Sequence, residues 1–201
     1  MIDAVISDLG QVLLHFDNRR FFRRLTGYTS RSHEDIRAVT HDNLELLDLF
    51  DTGRITPDEF YEKAVKALDA RVSRDDFYDA YNDVFSVNAS ALDVVRALKP
   101  KYKLAMLSNT DPVRYGHIER AFPELQIFDA YVLSFRIGAM KPDPRVYREA
   151  LRLLEARPEN TLFIDDLREN LEGAARLGIE GILFTARTDL AAELEKFGVK
   201  A

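Results

Sequence analysis

Five short apolar runs with no internal alternation constrain this chain most: Ala4–Ile6, Leu104–Leu107, Ala130–Leu133, Leu162–Ile164 and Ile182–Phe184. A strand with one wet face alternates apolar and polar residues, whereas a strand covered on both faces stays apolar throughout. The last four runs are separated by helical periodicity. Residues 143–156 place Val146, Tyr147, Ala150, Leu151 and Leu154 on one face, and Asp143-Pro144 supplies an N-cap residue followed by proline at the first helical position. Residues 168–177 repeat the logic with Leu171, Ala174 and Ala175, closed by Gly178. Such alternation predicts an α/β fold, a Rossmann-like doubly wound parallel sheet of five or more strands.

The segment between the first and second runs breaks the pattern. Residues 16–87 show helical periodicity and helix-start signals but no convincing strand. Thr56-Pro57-Asp58-Glu59 is a capping box with proline at the first helical position, leading into Phe60, Ala64, Val65 and Leu68. Ser73 opens another helix, carrying Phe77, Tyr81, Val84 and Phe85. The stretch is too long for a simple crossover, so the expected division is an α/β core from 1–15 and 88–201 with 16–87 inserted as a helical domain. Arg19–Arg24 reads RRFFRR, an amphipathic helix turning its arginines to water.

A net charge of −6 leaves no basic surplus for binding nucleic acid through its phosphates. With no cysteine there is no disulfide framework, thiolate zinc site or cysteine nucleophile. No apolar stretch approaches membrane-spanning length and nothing resembles a signal peptide, so the cytoplasm is the expected compartment and Asn88-Ala89-Ser90 a chance sequon. The oligomeric state is not legible.

Chemistry is expected at the carboxyl ends of the strands, where open α/β sheets bind ligands beside the reversal of strand order. Four segments sit there: Asp8-Leu9-Gly10-Gln11-Val12, Ser108-Asn109-Thr110, Lys141-Pro142-Asp143-Pro144, and Asp165-Asp166 with Asn170 four residues beyond. Each alone has a plain structural explanation as turn or cap chemistry. Together and in this order they resemble the haloacid dehalogenase-like superfamily. VISDLGQVL is similar to its first motif, LAMLSNT to its second, SFRIGAMKPDPRVY to its third and FIDDLRENLEGA to its acidic fourth.

The resemblance implies a capped phosphatase with 16–87 as the cap, akin to members with a DLG first motif such as a glucose-1-phosphate phosphatase. It makes Asp8 the nucleophile and Asp8, the Gly10 carbonyl and Asp166 ligands of Mg2+, with Asp165 a ligand directly or through water. It gives Ser108 and the Asn109 amide to the phosphate, and Lys141 to charge neutralisation. A phosphate dianion among carboxylates independently demands a hard cation: two unit charges about 4 Å apart repel by roughly 4 kcal/mol at an effective dielectric near 20. The expected substrate is a small phosphorylated metabolite such as a sugar phosphate. Gly10 stands where most such phosphatases carry an acid/base aspartate, and His15 and Asp17 are the nearby substitutes to weigh. Tyr28, Asn43, Leu47 and Phe50 are candidate lining residues. Two other readings compete: a metal-independent haloacid dehalogenase, which would lack the acidic pair, and a non-catalytic binding protein.

Overall fold

The computed structural model describes residues 1–200. Its elements run β1 (Ala4–Ser7), β2 (Leu14–Phe16), α1 (Asn18–Leu25), α2 (His33–Asp42), α3 (Leu44–Asp51), α4 (Pro57–Leu68), α5 (Arg74–Asn82), β3 (Phe85–Val87), α6 (Ala89–Leu98) and β4 (Lys103–Ser108). They continue with α7 (Pro112–Ala121), β5 (Ala130–Leu133), α8 (Ser134–Ile137), α9 (Pro144–Leu154), β6 (Thr161–Asp165), α10 (Arg168–Ala175), β7 (Glu180–Leu183) and α11 (Leu190–Glu195).

Five strands form one parallel sheet in the order β5-β4-β1-β6-β7. The apolar runs are these strands, continuous because both faces are covered. Val5, Met106 and Ile164 face one layer of the core with Leu92 and Val95 of α6. Ile6, Leu107 and Phe163 face the other with Val146, Tyr147 and Ala150 of α9. The last strand begins two residues before the expected Ile182. Glu180 and Gly181 are exposed on this edge strand, yet pair with Leu162 and Phe163, so backbone pairing extends beyond the apolar signal.

Helices α1–α5 carry an apolar cluster of their own, built on Phe21, Leu25, Ile36, Phe50, Phe60, Phe77 and Tyr81. The two capping boxes close at Ser32/Asp35 and Thr56/Glu59, and Ser73 caps α5. In α1, Phe21 and Phe22 are buried, Arg20 pairs with Asp83 at 2.5 Å and Arg24 with Asp79 at 2.6 Å. The expectation of no strand between 16 and 87 needs correcting. β2 and β3 form a two-stranded antiparallel ribbon in which Phe16 faces Phe85. Strands of three residues are too short to display a period of two in sequence.

The helical bundle meets the sheet domain at α8 and at the start of α7, among other contacts. Gly53, at φ +66°, passes so close to α8 that a Cβ there would lie 2.4 Å from the Phe135 carbonyl oxygen. At the start of α7, the Tyr81 hydroxyl of α5 donates to Asp111 Oδ2 at 2.9 Å.

Candidate active site

β1 carries Asp8 to the carboxyl edge of the sheet, where the strand order reverses. The Asp8 N–H donates to the Ile164 carbonyl at 2.8 Å, which seats the aspartate beside the end of β6 and its Asp165-Asp166. Ser108, buried, ends β4 on the other flank, followed by exposed Asn109. Lys141 arrives from the loop before α9. The structure thus brings the four segments to one edge.

The Lys141 ammonium stands 2.7 Å from Asp8 Oδ1 and 2.7 Å from Asp165 Oδ2, all three side chains being almost wholly buried. Asp8 Oδ1 also accepts from the Leu9 N–H at 2.6 Å. Asp165 is fully committed: Oδ1 accepts from the Leu167 N–H at 2.8 Å and from Asn170 Nδ2 at 2.9 Å, while Oδ2 holds Lys141. Burial pushes Asp8 up to about 7, with Lys141 opposing the rise and Asp165 adding to it. Asp166 is half-buried and raised as well, by desolvation first and Asp165 second. Desolvation works against the Lys141 charge, but the flanking Asp8 and Asp165 outweigh it and hold the lysine above its ordinary value.

Three carboxylates therefore face one ammonium. Oxygen atoms of Asp8, Asp165 and Asp166 all lie within 4.8 Å of one another. Hard carboxylate oxygens with surplus negative charge suit a divalent cation of the magnesium type. The Asp165 oxygens are taken by other donors, so Asp8 and Asp166 are the carboxylates with capacity to spare.

Hydrogen bonds hold the surrounding loops in register. Asn109 Nδ2 donates to the Lys141 carbonyl at 3.1 Å and Asn109 Oδ1 accepts from the Lys141 N–H at 2.8 Å. Ser134 Oγ accepts from the Thr110 N–H and donates to the Thr110 carbonyl. Helix α10 approaches the lysine loop at Gly173, where a Cβ would come within 2.7 Å of Pro142 Cβ. The Tyr147 hydroxyl donates to the Asn170 carbonyl at 2.8 Å.

The space beside Gly10 is filled by a ring: a Cβ there would lie 3.2 Å from Phe16 Cε1. Of the nearby acid/base candidates, Asp17 serves elsewhere. It caps α1 and binds Arg19 at 2.8 Å, and those hydrogen bonds keep its carboxyl below the usual range. His15 is exposed and borders, with Gln11, Asn88 and Asp166, a polar cleft of about 400 Å³. Among the candidate lining residues, Phe50 is fully buried and stacked on Phe60 at 4.2 Å, so it belongs to the bundle's core. Tyr28 packs half-buried against the same cluster. Asn43 and Leu47 do line a cavity, inside the bundle.

One buried polar group escaped the sequence reading. Asp111 is wholly buried, and its Oδ1 caps α7 through the Val113 and Arg114 N–H groups. Arg114 lies over the Tyr81 ring, 4.0 Å from its centroid, and its Nη2 donates to Asn18 Oδ1 at 3.2 Å. The signal was available, since Asp111-Pro112 repeats the Asp143-Pro144 helix start.

Proteins similar to this chain in sequence or fold are numerous. The chain is 22% identical over 187 residues to D-ribitol-5-phosphate phosphatase of Bacteroides thetaiotaomicron, covering 90% of each. It is 30% identical over 148 residues to bifunctional epoxide hydrolase 2 of Mus musculus, matching 69% of this chain but only 27% of that much longer protein. A solved haloacid dehalogenase family enzyme from B. thetaiotaomicron, in complex with magnesium and inorganic phosphate, superposes with a TM-score of 0.80 at 25% identity, over 96% of this chain and 99% of that one. The sequence profile of haloacid dehalogenase-like hydrolases matches residues 2–178, and the chain belongs to that family.

Proposed function

We propose that this hydrolase is a magnesium-dependent phosphomonoesterase that works through an aspartyl-phosphate at Asp8, with residues 1–15 and 88–201 as its core and 16–87 as a cap over the cleft. The observation that carries the reading is the meeting of Asp8, Asp166 and a doubly paired Lys141 at the carboxyl edge of the sheet. Relatives that are phosphatases, and a related enzyme holding magnesium and phosphate, support it.

Asp8, Asp166 and the Gly10 carbonyl would hold Mg2+, which when bound offsets charge on the phosphoryl oxygens and keeps Asp8 ionised. Asp8 attacks phosphorus through a carboxylate oxygen; the P–O bond to the alcohol breaks and the electron pair leaves with that oxygen. Ser108 and the Asn109 backbone amide bind phosphoryl oxygens. Lys141 neutralises charge gathering on the phosphoryl group and the nucleophile. Asp165 acts as a positioning residue, fixed by Asn170 and the Leu167 N–H so that Lys141 cannot turn away. Water then cleaves the aspartyl-phosphate. Gly10 offers no proton-transfer group for either step, and His15, beside Asp166 in the polar cleft, is the side chain to test for that duty.

The dehalogenase alternative requires no metal, and the convergence of three carboxylates argues against it. A panel of phosphorylated metabolites should show turnover with magnesium that EDTA abolishes. Turnover of 2-haloacids unaffected by EDTA, or no turnover of either class, would refute the proposal.

A further inference from the structure

Helices α1–α5 form a half-open cavity of about 80 Å³ walled mainly by Phe21, Phe22, Leu46, Leu47, Phe60 and Leu68. Covering an apolar wall of this kind with an apolar group is favourable, at about 25 cal/mol for each Å² removed from water. The polar side chains on its wall are mostly spent on their own helices. Thr40 Oγ1 donates to the Ile36 carbonyl, and Asn43 Nδ2 to the Val39 carbonyl. The exception is one end, where Asn18 and Arg114 meet at 3.2 Å and Arg114 Nε is buried without a partner. The cavity thus has an apolar body and a single polar end with an unused N–H donor.

That polar end also has a position. Asn18 opens the first helix after the Asp8 loop and its ribbon strand, and Arg114 lies in the first turn of the helix after Ser108-Asn109. Both chains leading to the polar end come directly from the candidate phosphate site. Three other wall residues, Val39, Leu46 and Leu47, are half-buried and apolar.

We propose that this cavity receives the hydrocarbon chain of the substrate, making the preferred substrate the phosphomonoester of an apolar alcohol, with Arg114 Nε donating to an oxygen at the chain's polar end. The assignment rests on the phosphatase reading and narrows it away from sugar phosphates. An apolar cavity of about 150 Å³ accommodates benzene, so one of 80 Å³ has room for roughly three carbon atoms. Each methylene group entering it should multiply kcat/KM by about four.

The test is a series of n-alkyl phosphates of increasing length, assayed with magnesium beside p-nitrophenyl phosphate and a sugar phosphate. The expected profile contains a run of roughly three successive methylenes, each worth about fourfold, followed by a plateau. Calorimetry with short and long n-alkyl phosphonates, which cannot be hydrolysed, should give the same length dependence in affinity. Ala64→Leu, which pushes a side chain into the cavity, should reduce the long-to-short ratio at least tenfold. Hydrolysis of the series with no length dependence, or a sugar phosphate preferred over every alkyl ester, overturns the proposal. Length-dependent phosphonate binding without hydrolysis of any ester would uphold the cavity's role and refute the phosphatase reading instead.

Discussion

Replacing Asp8, the proposed nucleophile, should make the metal-free protein more stable. Asp8 is buried and its carboxyl is pushed from 3.8 up to about 7. The unfolded chain releases this proton at the lower value, so unfolding is favoured progressively as pH climbs between the two. Stability from this group is complete below about 3.8, falls as pH rises through about 7, and is flat above. The interval corresponds to roughly 4 kcal/mol. Asp8→Asn keeps the shape and the oxygen facing Lys141 while removing the charge, so in EDTA at about pH 8.5 it should recover a large part of that amount. For a chain of this size each kcal/mol moves Tm by about 2–4 °C, giving an expected rise of about 5–15 °C. The gain should shrink by more than half near pH 5, where most wild-type molecules keep the Asp8 proton. Magnesium should narrow the gap as well, because it binds the folded wild type more tightly than the variant. Thermal melts of both proteins across pH, with EDTA or magnesium, provide the measurement. An Asp8→Asn variant no more stable than wild type in EDTA at the alkaline end would refute the claim that the carboxylate is held under electrostatic stress.

Asn170→Ala removes the amide that holds Asp165 Oδ1 and so loosens the anchor of Lys141; kcat at saturating magnesium should fall by about tenfold or more, and an unchanged kcat would show that Asp165 needs no such support. Gly173→Ala would ordinarily stabilise a helix by about 1 kcal/mol, yet here the new methyl meets Pro142 at 2.7 Å, so the melt should fall by about 1–3 kcal/mol and kcat with it as Lys141 shifts. For p-nitrophenyl phosphate, whose leaving group needs no proton, rapid mixing should show a burst near one product per site if, as proposed, Asp8 is phosphorylated and Gly10 leaves that intermediate's hydrolysis without a base. Gly10→Asp should shrink that burst only in combination with a smaller residue at Phe16, whose ring lies 3.2 Å from the new Cβ.

The central sheet was legible because its strands are covered on both faces and written as unbroken apolar runs. Where coverage ends, the writing ends too: Glu180 and Gly181 belong to β7 through hydrogen bonds alone, and the β2–β3 ribbon is too short to show a period. The site was legible as four segments at strand ends, because a parallel sheet delivers every such end to one edge. Its internal division of labour was not. That Asp165 is spent on Lys141 and Asn170 depends on side chains brought together by folding, and nothing in Asp165-Asp166 distinguishes the partners. Phe50 and Leu47 share an eight-residue helix, LELLDLFD, with apolar residues on several sides, so its sequence does not say which one faces the cavity. Asp17 looked available beside Gly10 until α1 claimed it as a cap.

The small ribbon has a consequence for how the gene can change. By pairing Phe16 with Phe85 it ties the neck of the long excursion between them, so the parallel sheet experiences that excursion as a single closed loop. Closing a loop costs entropy only logarithmically in its length, about 0.6 kcal/mol for each doubling. Insertions, deletions or wholesale replacement of the helices beyond the neck would leave the register of β1, β4 and β6 almost untouched. The helical segment can then diverge while the strand ends that carry Asp8, Ser108 and Asp166 stay fixed.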